Sequence, residues 1–291
     1  GILFAGGISV PLSIQLLSDE IPFRVNHSGA KVIFASSGTL EKIASIREQL
    51  KNPVTLIFME EPGEDFTRVC EKFALKRGRD ILLMLSMVNG GIKALAEAEK
   101  EEERLRDIER SIGEDDIVTI SYTSGTTGDP KGIMLTQLNY YANCHDSIDL
   151  FKVPENFSTL VILPCDHSFA HTVGIYAALV RGISVYFVDS RGGRLATLRN
   201  IPINLKEANP SFLLTVPALT GNFLKKIQDG VKKQGGLAAF LFRKGMDCGV
   251  KYHGNGYQRP SLWKRLSNLF FYKVADLLVF KKIRMIFGNQ I

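Results

Sequence analysis

The run Tyr122-Thr123-Ser124-Gly125-Thr126-Thr127-Gly128-Asp129-Pro130-Lys131-Gly132 gathers groups that bind phosphate oxygens. Gly125, Gly128 and Gly132 let the backbone approach a ligand closely and present N–H donors. The hydroxyls of Thr123, Ser124, Thr126 and Thr127 add further donors, and the Lys131 ammonium adds a point charge. A polyphosphate, which carries several charges and accepts many hydrogen bonds, suits this set. The spacing is not that of a P-loop, G-x-x-x-x-G-K-[ST], because Pro130 stands five residues after Gly125 and Gly132 follows Lys131. Simple P-loop hydrolases are therefore disfavoured. A plain strand-to-helix turn needs neither so many hydroxyls nor a lysine behind a proline, and Asp129 reads as the turn residue.

Metal chemistry finds less support. His167 and His171 are four residues apart, but Ser168 stands where H-E-x-x-H requires glutamate, so a zinc hydrolase is not indicated. Cys70, Cys144, Cys165 and Cys248 are scattered without a C-x-x-C pair, as expected of reduced, mostly buried thiols in a cytoplasmic protein.

The elements that must position these residues alternate. Val32–Ala35, Val54–Phe58, Ile117–Tyr122, Thr159–Leu163, Ile183–Val188 and Phe212–Thr215 are short, nearly continuous apolar runs, the pattern of buried parallel strands. Between them the sequence predicts helices over Thr39–Leu50, Phe66–Lys76, Ile92–Ile112, Thr136–Leu150, Thr172–Arg181 and Leu195–Ala208. Such alternation predicts βαβ units and an α/β fold of mostly parallel sheets with helices on both faces. On this reading the phosphate-binding run joins a strand to the helix that begins near Thr136.

With 45% apolar and 23% charged residues in 291, the chain is too apolar for disorder. Its most apolar run, Ile81–Val88, is far too short to span a bilayer. Charge is unevenly spread: 14 Lys/Arg against 3 Asp/Glu lie between Gly221 and Ile291, leaving 22 against 27 elsewhere. This basic end interleaves its charges with bulky apolar residues, as in Leu262-Trp263-Lys264-Arg265-Leu266, and residues 230–283 read as a basic, mostly helical insert. The pattern suits peripheral contact of residues 221–291 with an anionic membrane, or a helix packed against further protein. No nucleic-acid-binding module accompanies the charge, so nucleic acid is not expected.

The run YTSGTTGDPKGIMLT closely resembles the phosphate-binding signature of the AMP-forming acyl-CoA synthetases, within the adenylate-forming superfamily. Three further stretches resemble elements of that family: Gly6-Gly7-Ile8-Ser9-Val10-Pro11-Leu12, Leu163-Pro164-Cys165-Asp166-His167-Ser168-Phe169 and Thr215-Val216-Pro217-Ala218-Leu219. The basic end, through Leu278-Val279-Phe280-Lys281-Lys282-Ile283-Arg284, is most similar to the long-chain fatty-acid–CoA ligase branch.

The resemblance implies a function and a set of site residues. A fatty acid carboxylate would attack the α-phosphate of MgATP to give acyl-adenylate and pyrophosphate, and coenzyme A thiol would then displace AMP. Ser124, Gly125, Thr126, Thr127, Gly128 and Lys131 would hold the β- and γ-phosphates, with Thr123 a magnesium ligand. His167 would orient or gate the acyl carboxylate, and Lys131 would serve catalysis as well as binding. His171 carries no implied role. The alternatives are adenylation of another carboxylate for a carrier-protein acceptor, or a non-catalytic nucleotide-binding or membrane-docking module. Gly1 stands where a start methionine would, and the family's later elements (the Y-G-x-T-E stretch, the ribose-binding aspartate, the hinge and the C-terminal lysine) have no match before Ile291. Residues 1–291 are therefore expected to be part of an N-terminal adenylation domain, without the C-terminal domain and inactive alone.

Overall fold

The computed structural model describes residues 2–97, 99–123, 129–191, 193–254, 257 and 259–288, and for 95–97, 99–101 and 194 the backbone alone. The chain divides into two compact units, Gly1–Ser147 with Pro164–Thr172, and Ile148–Leu163 with Val173–Ile291.

In the first unit, α1 (Ile21–Ser28) ends at Gly29, whose φ of +66° is a left-handed cap conformation that favours glycine. Strands and helices then alternate as β1 (Val32–Ala35), α2 (Ser37–Ser45), β2 (Thr55–Phe58), α3 (Glu64–Lys72) and β3 (Ile81–Leu83). The three strands form one parallel sheet, with Ala35 opposite Phe58 and Phe58 opposite Leu83. Buried Ala35, Leu56, Phe58 and Ile81 pack against Leu40, Ile43, Phe66 and Val69 of the helices. Burying such side chains contributes about 1.5–3 kcal/mol each before the entropy cost of ordering them.

Asp80 locks the approach to β3. Its carboxylate accepts from the Lys76 amide at 2.9 Å, from Arg47 at 2.8 Å and from Arg79 at 3.1 Å. These donors hold the carboxyl far below the usual carboxylate range, the Lys76 amide first among them. The contribution to stability is thus complete at neutral pH and is lost as pH falls below about 4 toward the depressed folded value. Asp80→Asn should lower the melting midpoint at pH 7, and the gap to the unaltered chain should narrow steadily between pH 4 and pH 2. Thermal denaturation at both ends of that window checks it.

Helix follows over Met84–Glu97 (α4) and Glu99–Ser111 (α5), which contain nearly all of the helix the sequence predicted over Ile92–Ile112 and begin earlier, at Met84. Strand β4 (Ile117–Thr123) is followed by a second strand, β5 (Lys131–Thr136), paired antiparallel with it, before α6 (Gln137–Phe151) begins. The glycine- and hydroxyl-rich run therefore joins two antiparallel strands, with Thr123 paired to Lys131, and does not lead straight into a helix. Thr136 ends the strand and starts the helix: its hydroxyl accepts from the Asn139 amide at 3.3 Å, and Asn139 Oδ1 accepts from the Thr136 amide at 3.0 Å. Helix α7 (Ser168–His171) closes the first unit and runs through a π-helical turn, Thr172–Tyr176, into α8 (Ala177–Arg181).

In the second unit, β6 (Ser158–Val161) pairs parallel with β7 (Ser184–Phe187). Of the predicted strand Phe212–Thr215, Phe212 alone forms a bridge, to Thr159, before the chain turns into a helix. Buried Leu160, Ile162, Ile201 and Leu205 form the core beside α9 (Gly193–Ala208). The remainder is helical: α10 (Pro217–Lys233), α11 (Gly236–His253), α12 (Leu262–Ala275), a π turn over Asp276–Phe280, and α13 (Lys281–Arg284). Three of the four strand pairings in the molecule are parallel, which fits the predicted α/β class, but they lie in separate small sheets among the described residues. None of the four cysteines is in a disulfide. Among the described residues no helix is long and apolar enough to cross a membrane.

Candidate nucleotide site

The hairpin register places Thr123 directly opposite Lys131, at the mouth of the turn. Directly opposed residues of an antiparallel pair project to the same face with Cβ atoms about 5 Å apart. The two side chains thus leave the same face of the hairpin, and both residues are exposed. Ser124, Gly125, Thr126, Thr127 and Gly128, expected to hold the phosphates, lie outside the described residues. Asp129, which leads back into β5, is exposed.

Gly132 has a structural reason that the sequence reading missed. A Cβ there would stand 3.0 Å from Ile120 Cγ2 and 3.3 Å from Tyr122 Cε1. Its small size lets the Tyr122 ring cross the neighbouring strand, so this third glycine serves packing inside the sheet. Tyr122 in turn ties the hairpin to α1. Its hydroxyl donates to the Arg24 carbonyl at 3.2 Å and lies 2.8 Å from His27 Nδ1. Burial raises the phenol pKa, so this hydroxyl keeps its proton. The other edge of β4 is covered by the Gly6–Leu12 stretch, since the Ser9 amide donates to Val118 O at 2.8 Å and the Ile120 amide to Ser9 O at 2.9 Å. Two of the motif-bearing segments are therefore hydrogen-bonded neighbours.

His167 and His171 differ in every respect that governs chemistry. His167 is exposed and caps α7, with Nδ1 accepting from the Phe169 amide at 3.3 Å. An accepting Nδ1 leaves the proton on Nε2, which is then a donor. His171 is 6% exposed. Its Nδ1 lies 3.1 Å from the Cys165 carbonyl, which can only accept, so Nδ1 carries the proton and Nε2 accepts from the Tyr140 hydroxyl at 2.7 Å. His171 thereby fastens α6 to the Pro164–His167 loop from beneath. No sequence spacing signals this pair, because Tyr140 and His171 are 31 positions apart.

Burial lowers the pKa of His171 from its ordinary 6.5. The unfolded chain takes up a proton near pH 6.5 while the folded chain resists until lower pH, so stability is complete above 6.5 and falls as pH drops toward the folded value. His171→Phe should cost about 1–3 kcal/mol at pH 8, because the Tyr140 hydroxyl and the Cys165 carbonyl lose a buried partner. The cost should shrink between pH 6.5 and pH 5, which melting curves of both chains at the two pH values would reveal.

Among the described residues no three His, Cys, Asp or Glu side chains form a metal site. A magnesium ion is commonly held by few protein oxygens together with substrate phosphates and water, a role that the Thr123 hydroxyl fits.

Comparison with known proteins gives the hairpin its context. Residues 1–277 match the model of the family described as AMP-binding enzyme. The chain is 27% identical over 271 residues to the peroxisomal long chain acyl-CoA synthetase 6 of Arabidopsis thaliana, covering 93% of this chain and 35% of the relative. It is 26% identical over 300 residues to long-chain-fatty-acid–CoA ligase 5 of Rattus norvegicus, covering 98% and 38%. The chain thus spans little more than a third of the length of these curated relatives. Among solved structures, the adenylation domain of a Mycobacterium chelonae carboxylate reductase matches with a TM-score of 0.58 at 17% identity, over 98% of this chain and 38% of that one. That likeness establishes the fold alone. The family match extends from the first residue past the hairpin and both histidines into the π turn after α12, so the chain belongs to the AMP-binding enzyme family.

Proposed function

We propose that this chain is the nucleotide-binding part of an ATP-dependent ligase that activates a long-chain fatty acid as acyl-adenylate and passes it to coenzyme A. The observation that carries the reading is the exposed Thr123–Lys131 pair closing a turn rich in glycine and hydroxyl groups. Lys131 would neutralise charge on the β- and γ-phosphates, together with the amides and hydroxyls of residues 124–128. Thr123 would supply one oxygen to magnesium, which when bound would draw negative charge from the phosphate oxygens. The Nε2–H of His167 would orient the acyl carboxylate toward the α-phosphorus. Since negative charge crowds both steps, fixed donors and cations supply most of the catalysis.

The long-chain substrate rests on the relatives, which are named long-chain acyl-CoA synthetases and ligases. A fatty acid partitions into bilayers, and peripheral membrane contact through residues 221–291 belongs to the same reading. The partial domain 1–291, with residues 230–283 as a basic helical insert, is its proposed organisation. The test is exchange of pyrophosphate into ATP by the complete gene product, followed by thioester formation. Hexadecanoate should drive the exchange well above butyrate, and coenzyme A should accept the acyl group. Exchange driven equally by short acids, or transfer to a carrier-protein pantetheine in preference to coenzyme A, would point to a different carboxylate or acceptor.

A further inference from the structure

We propose that the outer face of α12 docks on an anionic lipid surface, with Trp263 inserted below the headgroups. Helices α11 and α12 pack as an antiparallel hairpin through their inner faces, where Gly245 meets Ala275 and Gly249 meets the Tyr272 ring. The opposite face of α12 carries Leu262, Trp263, Leu266 and Phe270, continued by Leu277 in the π turn. Positions 262, 266 and 270 are one helical turn apart and share a stripe. Exposure is 84% for Trp263, 63% for Leu266, 70% for Phe270 and 66% for Leu277. So large an apolar stripe on a helix rim is the form of an element that lies in an interface plane.

Charge complementarity selects the occupant. Residues 262–284 hold Lys264, Arg265, Lys273, Lys281, Lys282 and Arg284 against one acid, Asp276. Asp276 is held by Arg284 at 3.1 Å and also feels the Lys273 charge, so one carboxylate stands against six cations. Lys273 sits within the apolar stripe, where a long side chain can rest its stem on lipid and raise its ammonium to the headgroups. Aliphatic and aromatic side chains beside an excess of lysine and arginine match a surface of acidic headgroups over acyl chains. The inference deepens the membrane contact proposed above but needs no nucleotide.

Trp263 is the only tryptophan in the chain, so its emission reports this face directly. The 291-residue chain would be mixed with vesicles of phosphatidylcholine alone, or of phosphatidylcholine with about one-third phosphatidylserine. The proposal expects a blue shift and quenching by brominated acyl chains with the anionic vesicles. The bound fraction should fall at least tenfold between 0.05 and 1 M salt, where charges are screened within about 3 Å. Phe270→Ser and the triple variant Lys264→Glu, Arg265→Glu, Lys273→Glu should each lose binding with unchanged helix content. Lys131→Ala should bind vesicles as the unaltered chain does, which separates this inference from the nucleotide reading. Unshifted emission with vesicles, equal binding to neutral vesicles, or a lipid-independent blue shift that grows with protein concentration would overturn it, the last by showing a protein interface.

Discussion

MgATP should bind the Lys131→Ala chain about 10- to 100-fold more weakly than the unaltered chain. A charge-assisted hydrogen bond is worth about 1.5–3 kcal/mol, and each 1.4 kcal/mol is tenfold in affinity. On the proposed function Lys131 meets the β- and γ-phosphates, so the loss should concentrate there. AMP, lacking the β- and γ-phosphates, should bind both chains alike. Lys131→Arg should recover part of the affinity, since it keeps the charge but replaces a compact ammonium by a planar fork. Calorimetric titration of the three chains with ATP and AMP checks each statement. Absence of ATP binding by any of them would favour a non-catalytic module over a ligase.

The second large effect belongs to the helical hairpin. Gly245→Leu should lower the melting midpoint by about 5 °C, from an overpacking cost of about 1–3 kcal/mol. A Cβ at position 245 would overlap the Ala275 Cβ and stand 2.9 Å from Phe280 Cζ. The Ala275 Cβ is fixed to a helix backbone, so the two helices must part. Leucine's better helix propensity returns only about 1 kcal/mol. Position 249 is the control. A Cβ there meets the edge of the Tyr272 ring at 3.3 Å, a side chain that can shift, so Gly249→Ala should leave the midpoint nearly unchanged or raise it. Melting followed by far-ultraviolet circular dichroism compares the two, and a Gly245→Leu chain as stable as the parent would contradict the packing described.

The five apolar runs that became β1, β2, β4, β6 and β7 were legible as strands from their short, nearly unbroken apolar sequence, although β4 pairs antiparallel with β5 and β7 is largely exposed. Two strands escaped for opposite reasons. Ile81–Leu83 passes into α4 at Met84 without a turn residue, so nothing in the sequence separates strand from helix. Lys131–Thr136 opens with a lysine and a glycine and has exposed Ile133 and Met134, the reverse of a buried strand. Its pairing with β4 decides its conformation, and pairing is a tertiary fact. Phe212–Thr215 shows the converse: an apolar run with one bridging residue, ended by Val216 and the start of α10 at Pro217. At the site, residue types point to phosphate as the ligand, and the hairpin register adds that Thr123 and Lys131 lie opposite one another. Hidden from the sequence were the supports. Gly132 looked like a ligand-facing glycine but makes room for Tyr122, and the Tyr140–His171 bond joins residues that no periodicity relates.

On the proposed function, the residues between Thr123 and Lys131 hold the triphosphate of a nucleotide. The most direct measurement follows the backbone amide resonances of Thr123, Lys131 and Gly132 while MgATP, and separately AMP, is added to the isotope-labelled chain. MgATP should move all three, and AMP should leave them almost in place. Saturating MgATP that leaves these amides unmoved while shifting resonances elsewhere would contradict the account.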